Sequence, residues 1–456
     1  MSGRTADVVV IGAGHNSLIG AAYLAAAGLD VVVLEEQPHV GGNTVTEDLT
    51  LPGFRHDSCS SAHVLIQTNP MVKDDELGLS ALGLRYVHTD PAVVLPLPDG
   101  DALVMSRDRE KVIAERFAHQ RSRDLLMWLS FATITDLRNP GTGILPFSIT
   151  AGRAQFGWAT PLGGSGALPD ALVASITSHG GRVLTGRPVE KVLVEHGRAT
   201  AVVTGDGERW QALRAVLSSA HITQLASMLE GVEVPADLQR AATTWRVGLT
   251  LFAVHLATDG SLAYDTANGP LASVAGGIGS AQGLVAQLDA FARGETYAVD
   301  PWVLVVCSTI VDPDRAPNGK GVVKLLTFAP RHLAAGGDWE EERDRYAAQV
   351  VERTAHLVPG LGASHVLAVC GEAPTDLEAR NRHNVGGSCH GGEFVTAQGD
   401  VLVGWPTYRL PVDGLYQTGA TAHPGGSVSG RAGRNAARVL LTDLGIDPAT
   451  VMGPGA

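Results

Sequence analysis

The chain has 456 residues, 45% hydrophobic and 18% charged, with a formal charge of −13 and only five lysines. That length exceeds one small core and predicts two intertwined domains. The acidic balance excludes a nucleic-acid partner, which needs a basic stripe, and it offers no polybasic handle for anionic lipid.

The first element is complete in sequence. "ADVVVIGAGHNSLIGAAYLAAAGLDVVVLEE" (Ala6–Glu36) reads as strand, glycine turn, helix, strand and acid, a dinucleotide-binding unit. Gly12 permits the tight turn, and Gly14 lets the backbone approach a pyrophosphate. The helix starting near His15 points its first amides at the phosphates. Ser17 stands where a third glycine is expected for close helix–sheet packing. Serine is small enough to be tolerated, with Ala21 and Ala22 keeping the helix near the sheet. Glu35 ends the second strand, where a carboxylate accepts ribose hydroxyls and disfavours a 2′-phosphate. Gly41-Gly42 follows, where backbone must pass close to something.

A helical stretch is expected from about Arg107 to Leu137, broken by "NPGTGILP". Thr160–Glu208 reads as loop, helix and β-meander, with turns at Glu195–Gly197 and Gly205–Gly207. "AVLSSA" (Ala215–Ala220) is a buried strand. Strands alternate with loops from Thr243 to Leu326, and a long helix is expected over Trp339–Leu357. Gly277, Gly279 and Gly283 are spaced like a nucleotide loop, but no strand ending in an acid follows, so they read as a substrate-domain loop. The tail, Gly414–Gly445, is strand, glycine-rich turn and helix again, with the helix expected near Ser427–Val428.

Cys59, Cys307, Cys370 and Cys389 form no C-x-x-C pair. No zinc site or disulfide framework is expected, no metal is assigned, and a cytoplasmic location suits the free thiols. The first strand follows Met1 so closely that no signal peptide is expected. No apolar run reaches the ~18 residues that cross a bilayer. The longest, Leu125–Ile134 and Val247–Ala257, read as a buried helix and a buried strand, with a peripheral membrane dip by the first as the alternative.

The set "GxGxxS…E…GGNTVTE…PGFRHD" resembles the FAD-binding start of the phytoene desaturase and amine oxidase superfamily. "GAGHNSLIGAAYLAAAG" and "PGFRHDS" are most similar to its phytoene dehydrogenase-related branch, the pyridine nucleotide-disulfide oxidoreductase domain-containing protein 2 group. The likeness returns in Asp312–Lys320, Thr375–Glu393 and Gly414–Ala437, so it spans nearly the whole chain. It implies a mixed α/β fold: a Rossmann-type FAD-binding domain with a β-meander, built from residues 1–75, 159–235 and 365–456. A substrate-binding domain of mixed sheet and helices, 76–158 and 236–364, is inserted into it.

The resemblance also implies a site. Gly12, Gly14, Asn16 and Ser17 meet the FAD pyrophosphate. Glu35, with Glu36 and Gln37 beside it, takes the adenosine ribose. Gly41, Gly42, Asn43 and Thr44 run along the phosphates and ribityl chain, and the backbone of Val189 meets adenine. Gly419 and Ala420 stand where related flavoproteins carry a glycine–acid pair. Gly426, Ser427 and Val428 aim a helix N-terminus at the flavin. Hydride transfer from a C–H to flavin N5 needs aim, a dry pocket and sometimes a base. His63, His390 and His423 lie in glycine-rich segments expected to border the flavin and are the candidate catalytic residues.

No lysine stands in a motif like the flavin-facing lysine of amine oxidases, which argues somewhat against that activity. The insert between Gln120 and Gly163, about forty residues, is short for the family and argues against a long carotenoid. The expected function is FAD-dependent desaturation or oxidation of a small, partly apolar molecule, with oxygen or a quinone as electron acceptor. A flavin-dependent isomerase without net redox change, or a non-catalytic binder of the Rab GDP-dissociation inhibitor fold, are the rival readings.

Overall fold

A computed structural model describes residues 4–107, 122–131, 134–139, 142, 145–393, 405 and 407–453. The Rossmann unit is β1 (Thr5–Ile11), α1 (His15–Ala26) and β2 (Val31–Leu34). β1 lies inside a sheet, parallel to β2 on one side and to Arg209–Ser218 on the other. Both faces of the sheet are covered, which is why "VVVI" is continuously apolar rather than alternating. Arg182–Leu184 extends the sheet beyond β2. On the far side, Val189–Glu195, Arg198–Thr204 and Arg209–Ser218 form an antiparallel meander, and Leu415–Gln417 joins from the tail.

α1 is buried along nearly its whole length, between this sheet and the helices Ala167–Ser178 and Arg431–Asp443. The close approach falls at Gly20, where an added Cβ would meet Leu217 Cδ2 at 2.9 Å. At Gly433 a Cβ would meet the Asn16 carbonyl oxygen at 2.3 Å. These two glycines supply the intimacy that the third fingerprint glycine supplies elsewhere, so Ser17 is accommodated without it.

The second sheet runs Val366–Glu372, Leu251–Thr258, Gly321–Phe328, Val303–Cys307, Ala275–Ile278, Val93–Pro96, Ala102–Met105. Its central strands are apolar on both faces. Phe252, Val254, Val305, Val323 and Leu325 pack under the helix Trp339–Ala355. Alternation turns Leu251, Leu304, Val306, Lys324 and Leu326 to the opposite face, where they line a cavity.

Three sequence expectations change. The strand Val366–Glu372, grouped by sequence with the nucleotide domain, hydrogen-bonds to Leu251–Thr258 in the second sheet. The glycines at 277 and 283 are packing sites: a Cβ at Gly277 would strike Trp128 at 2.2 Å, and one at Gly283 would strike the Asp300 carbonyl oxygen at 2.2 Å. The tail helix begins at Arg431 rather than near Ser427. Ser427 has φ of +92° and Gly430 has φ of +65°, and neither left-handed conformation continues a right-handed helix. Within the predicted 107–137 helix, Ser122–Phe131 is helical, and positions 108–121 lie outside the described residues.

Candidate functional site

Between the two sheets lies a cavity of about 1070 Å³. Of the residues singled out in sequence, Gly12, Gly14, Asn16, Ser17, Glu35, Glu36, Gln37, Gly42, Asn43, Thr44, Val189, Gly419, Ala420, Gly426, Ser427, Val428 and His390 line it. Gly41, His63 and His423 do not.

The glycine turn is held from below. Gly12 has φ of +85°, and a Cβ there would lie 2.5 Å from Ser219 Oγ. Gly14 differs: its backbone is ordinary extended, at φ −66° and ψ 158°, and a Cβ would meet nothing within 4 Å. Protein packing therefore does not demand glycine at 14; only something occupying the cavity would. α1 has no side-chain cap and no acid in its first turn. Its first amides form an anion site of the kind a pyrophosphate takes. Ser17 is fully buried and its Oγ has no hydrogen-bond partner.

Glu35 is tied down at both oxygens, accepting from the Ala13 N–H at 2.5 Å and the Gln37 N–H at 2.9 Å. Burial raises its pKa against those two bonds. Gly41 backs the site from outside: its N–H donates to the Ala13 carbonyl at 2.8 Å, and it bridges Gly14. The double glycine thus passes close to the first turn itself. A Cβ on Gly42 would stand 3.3 Å from Gly14 Cα.

Asn43 ties three segments together. Its Nδ2 donates to Asn384 Oδ1 at 2.8 Å and to the Cys389 carbonyl at 3.1 Å, while its Oδ1 accepts from Asn381 at 3.0 Å. The tail loop packs on the same segment: a Cβ at Gly391 would lie 2.4 Å from the Ala420 carbonyl oxygen, and one at Gly426 would lie 2.0 Å from that of His390. Two turns far apart in sequence are thereby fixed around one space.

The three candidate histidines separate. His390 lines the cavity, and burial pulls its pKa down to about 4. His63 is a buried bolt between Ser165 Oγ at 3.0 Å and Tyr86 OH at 3.1 Å, with burial lowering its pKa to about 3. His423 is exposed, its backbone spent on Trp405 and Tyr408. Sequence places these two in the right loops but has no means of orienting their rings.

Other residues that sequence reasoning misses also reach the cavity. His221 is buried and His15 and His383 are partly buried; desolvation lowers all three, to pKa values near 4 for His15, 2 for His221 and 4 for His383. Arg382 stands 3.6 Å from both Glu36 and Glu190. Arg153 lies 4.2 Å over the Trp158 ring. Lys324 is buried, its Nζ donating to the carbonyls of Ser58, at 3.2 Å, and Cys59. Its signal is one lysine inside the apolar strand "GVVKLLTF". No lysine stands in a recognisable flavin-facing motif, yet Lys324 lines the cavity.

Residues 111–441 match the family model described as flavin containing amine oxidoreductase, and 10–74 match that of an NAD(P)-binding Rossmann-like domain. The chain is 27% identical to pyridine nucleotide-disulfide oxidoreductase domain-containing protein 2 of Mus musculus, across 96% of this chain and 94% of that one. It is 25% identical to one of the limonene dehydrogenase subunits of Castellaniella defragrans, across 97% and 96%. Among solved structures, an oxidoreductase from Methanosarcina mazei shares the fold with a TM-score of 0.61 at 19% identity, covering 96% of this chain and 99% of that chain.

Proposed function

Because the chain belongs to the family of flavin-containing amine oxidoreductases, we propose that its cavity holds FAD along one wall and a small, partly apolar donor along the other. The chain is an oxidoreductase and its cofactor is FAD. The observation that carries the arrangement is the meeting of an uncapped helix N-terminus, an open Gly14 and an orphaned Ser17 hydroxyl at one end of the cavity.

In this reading the α1 amides and Ser17 hold the pyrophosphate, and Glu35 takes the ribose with Glu36 and Gln37 beside it. Gly42, Asn43 and Thr44 follow the phosphates and ribityl chain, with Gly41 supporting them. Val189 meets the adenine. Gly419, Ala420 and the Gly426–Val428 loop present backbone to the ring system, without the helix dipole expected there from sequence. FAD bound there supplies the two-electron acceptor for a hydride leaving a donor C–H. Leu251, Leu304, Val306 and Leu326 keep water from the donor. Residues 1–75, 159–235 and 365–456 form the FAD-binding domain, lending the strand Val366–Glu372 to the sheet of the substrate-binding domain, 76–158 and 236–364.

His390 is neutral at ordinary pH, so its role is to receive a proton rather than give one. With any donor that bleaches the flavin, the bleaching rate should stay flat through neutral pH. It should fall on acidification with an inflection near 4, where His390 takes its own proton. His390→Ala should remove that inflection; its persistence would assign the proton elsewhere.

The direct test is a visible spectrum of the purified protein, followed by anaerobic titration with candidate donors and reoxidation by oxygen or a quinone. Flavin bleaching by a donor and recovery with an acceptor support the reading. A colourless protein that does not take up added FAD overturns it, and turnover that needs a reductant but consumes no acceptor favours the isomerase.

A further inference from the structure

The carboxylates around the cavity are confined to one side. Glu35, Glu36 and Glu190 belong to the Rossmann sheet and the residues just after β2. Among the described residues, the wall built from Ile149, Leu251, Leu304, Val306 and Leu326 carries none. Two basic side chains stand on that wall instead, and burial lowers the pKa of both. Lys324 projects from the strand Gly321–Phe328 and is bonded to main-chain carbonyls. Arg153 comes from the helix Leu145–Phe156, is 3% exposed, and has no hydrogen-bond partner at Nε or Nη1.

An arginine without a counterion in an apolar setting is costly, because the guanidinium stays charged and its donors have lost water. Burial draws the Arg153 pKa down to about 9, which still leaves it protonated at neutral pH. The Trp158 ring beneath it supplies only its π face, and the indole Nε1–H is itself buried without an acceptor. Trp158 packs in the same apolar cluster as Leu251 and Leu304, so this donor-rich corner opens on the apolar side of the cavity. Arg153 and Trp158 both line the cavity, and among the described residues no acceptor meets the N–H groups at Arg153 Nε and Nη1 or Trp158 Nε1.

We propose that Arg153, with the Trp158 indole beside it, binds the carboxylate of the donor, which makes the substrate class a small apolar carboxylic acid. This rests on the oxidoreductase reading above and narrows it. A guanidinium offers its donors as a planar fork, the geometry that matches two carboxylate oxygens. A phosphate monoester carries more charge and more acceptors than this wall has donors to satisfy. A protonated amine would meet the Arg153 guanidinium and, among the described residues lining this wall, no carboxylate.

The test uses the protein as purified. Hexanoate, phenylacetate and benzoate are titrated against their primary amides, with hexyl phosphate as a separate arm, by calorimetry and tryptophan fluorescence. Carboxylates should bind about tenfold or more tightly than the amides, the difference one charge-assisted pair supplies. Arg153→Met should abolish that preference and leave flavin content unchanged, and Arg153→Lys should keep part of it. Should Arg153→Met fail to fold, the wild-type acid-to-amide ratio and its reduction in Arg153→Lys decide the matter.

Equal binding of acids and amides, no binding by any acid, tighter binding of hexyl phosphate, or loss of flavin in Arg153→Met would each overturn the proposal. The last would assign the cation to the cofactor phosphates. The flavin spectrum of the same samples keeps this result separate from the redox reading. Acid preference in a protein that takes up no flavin supports the anion site while the redox role fails, and bleaching without acid preference does the reverse.

Discussion

Gly14→Val is expected to yield a protein that folds normally and purifies without flavin. The argument rests on the contrast with Gly12. At Gly12 the φ of +85° and the 2.5 Å approach of Ser219 Oγ mean that any side chain damages the apoprotein as well as the site. At Gly14 the backbone is one that valine adopts readily, and no protein atom lies within 4 Å of the Cβ position. The isopropyl group therefore costs the empty protein little and projects into the space the pyrophosphate must cross. FAD affinity should fall by about 100-fold or more, equivalent to about 3 kcal/mol, while the melting temperature of the flavin-free protein stays within a degree or two of the wild type. Ser17→Ala is the companion. Its hydroxyl has no partner to lose, so apoprotein stability should hold, with FAD binding weakened about fivefold. Flavin retention by Gly14→Val, measured by absorbance and by equilibrium dialysis, would place the cofactor elsewhere.

The Rossmann unit is legible because its signals are local. A continuous apolar strand, a glycine turn and an acid at the end of β2 are read within thirty-odd residues, and each has one physical cause. The meander is legible from its turns. What sequence misses needs knowledge of direction or of distant partners. It starts the tail helix too early because "GGSVSG" shows small residues but hides the left-handed turn at Ser427. Glycine-rich surroundings place a histidine near a cofactor loop without saying whether its ring faces in, as at His390, sideways into Ser165, as at His63, or out, as at His423. Arg153 and Lys324 lie 171 positions apart (324 − 153) and meet one cavity only after two sheets have formed. Lysine inside an apolar strand is a signal that a sequence carries openly. Arginine in "TAGRAQF" looks like any helical surface residue, and its burial is a tertiary fact.

Replacing Arg315 is expected to be among the most damaging single changes outside the cavity. Arg315 Nη1 meets Asp57 Oδ2 at 3.0 Å, and both side chains are only 2% exposed. Asp57 also accepts from Thr46 Oγ1 at 2.8 Å and from the Ser165 N–H at 2.9 Å. Burial alone would raise the Asp57 pKa, but Arg315 and these bonds hold it below the usual carboxylate value. Arg315→Met leaves that carboxylate buried without its cation and should cost about 3–5 kcal/mol in urea unfolding. Adding Asp57→Asn should recover much of the loss, because the orphaned charge is then gone.

The pH dependence follows from the sign of the shift. A folded pKa below the unfolded one adds stability above about pH 4, and that contribution fades as pH falls through the lower folded value. In Arg315→Met, burial is unopposed by the cation and the shift reverses, so acidification should relieve the variant. The stability gap between wild type and variant should therefore narrow as pH drops from 7 towards 4. A constant gap, or a double variant no better than Arg315→Met, would show that packing rather than charge holds these segments. The ion pair also anchors the loop whose Ser58 and Cys59 carbonyls hold Lys324. Arg315→Met should therefore disturb the cavity wall that Lys324 lines before it disturbs the turn at Gly12, which a comparison of carboxylate affinity with flavin content would reveal.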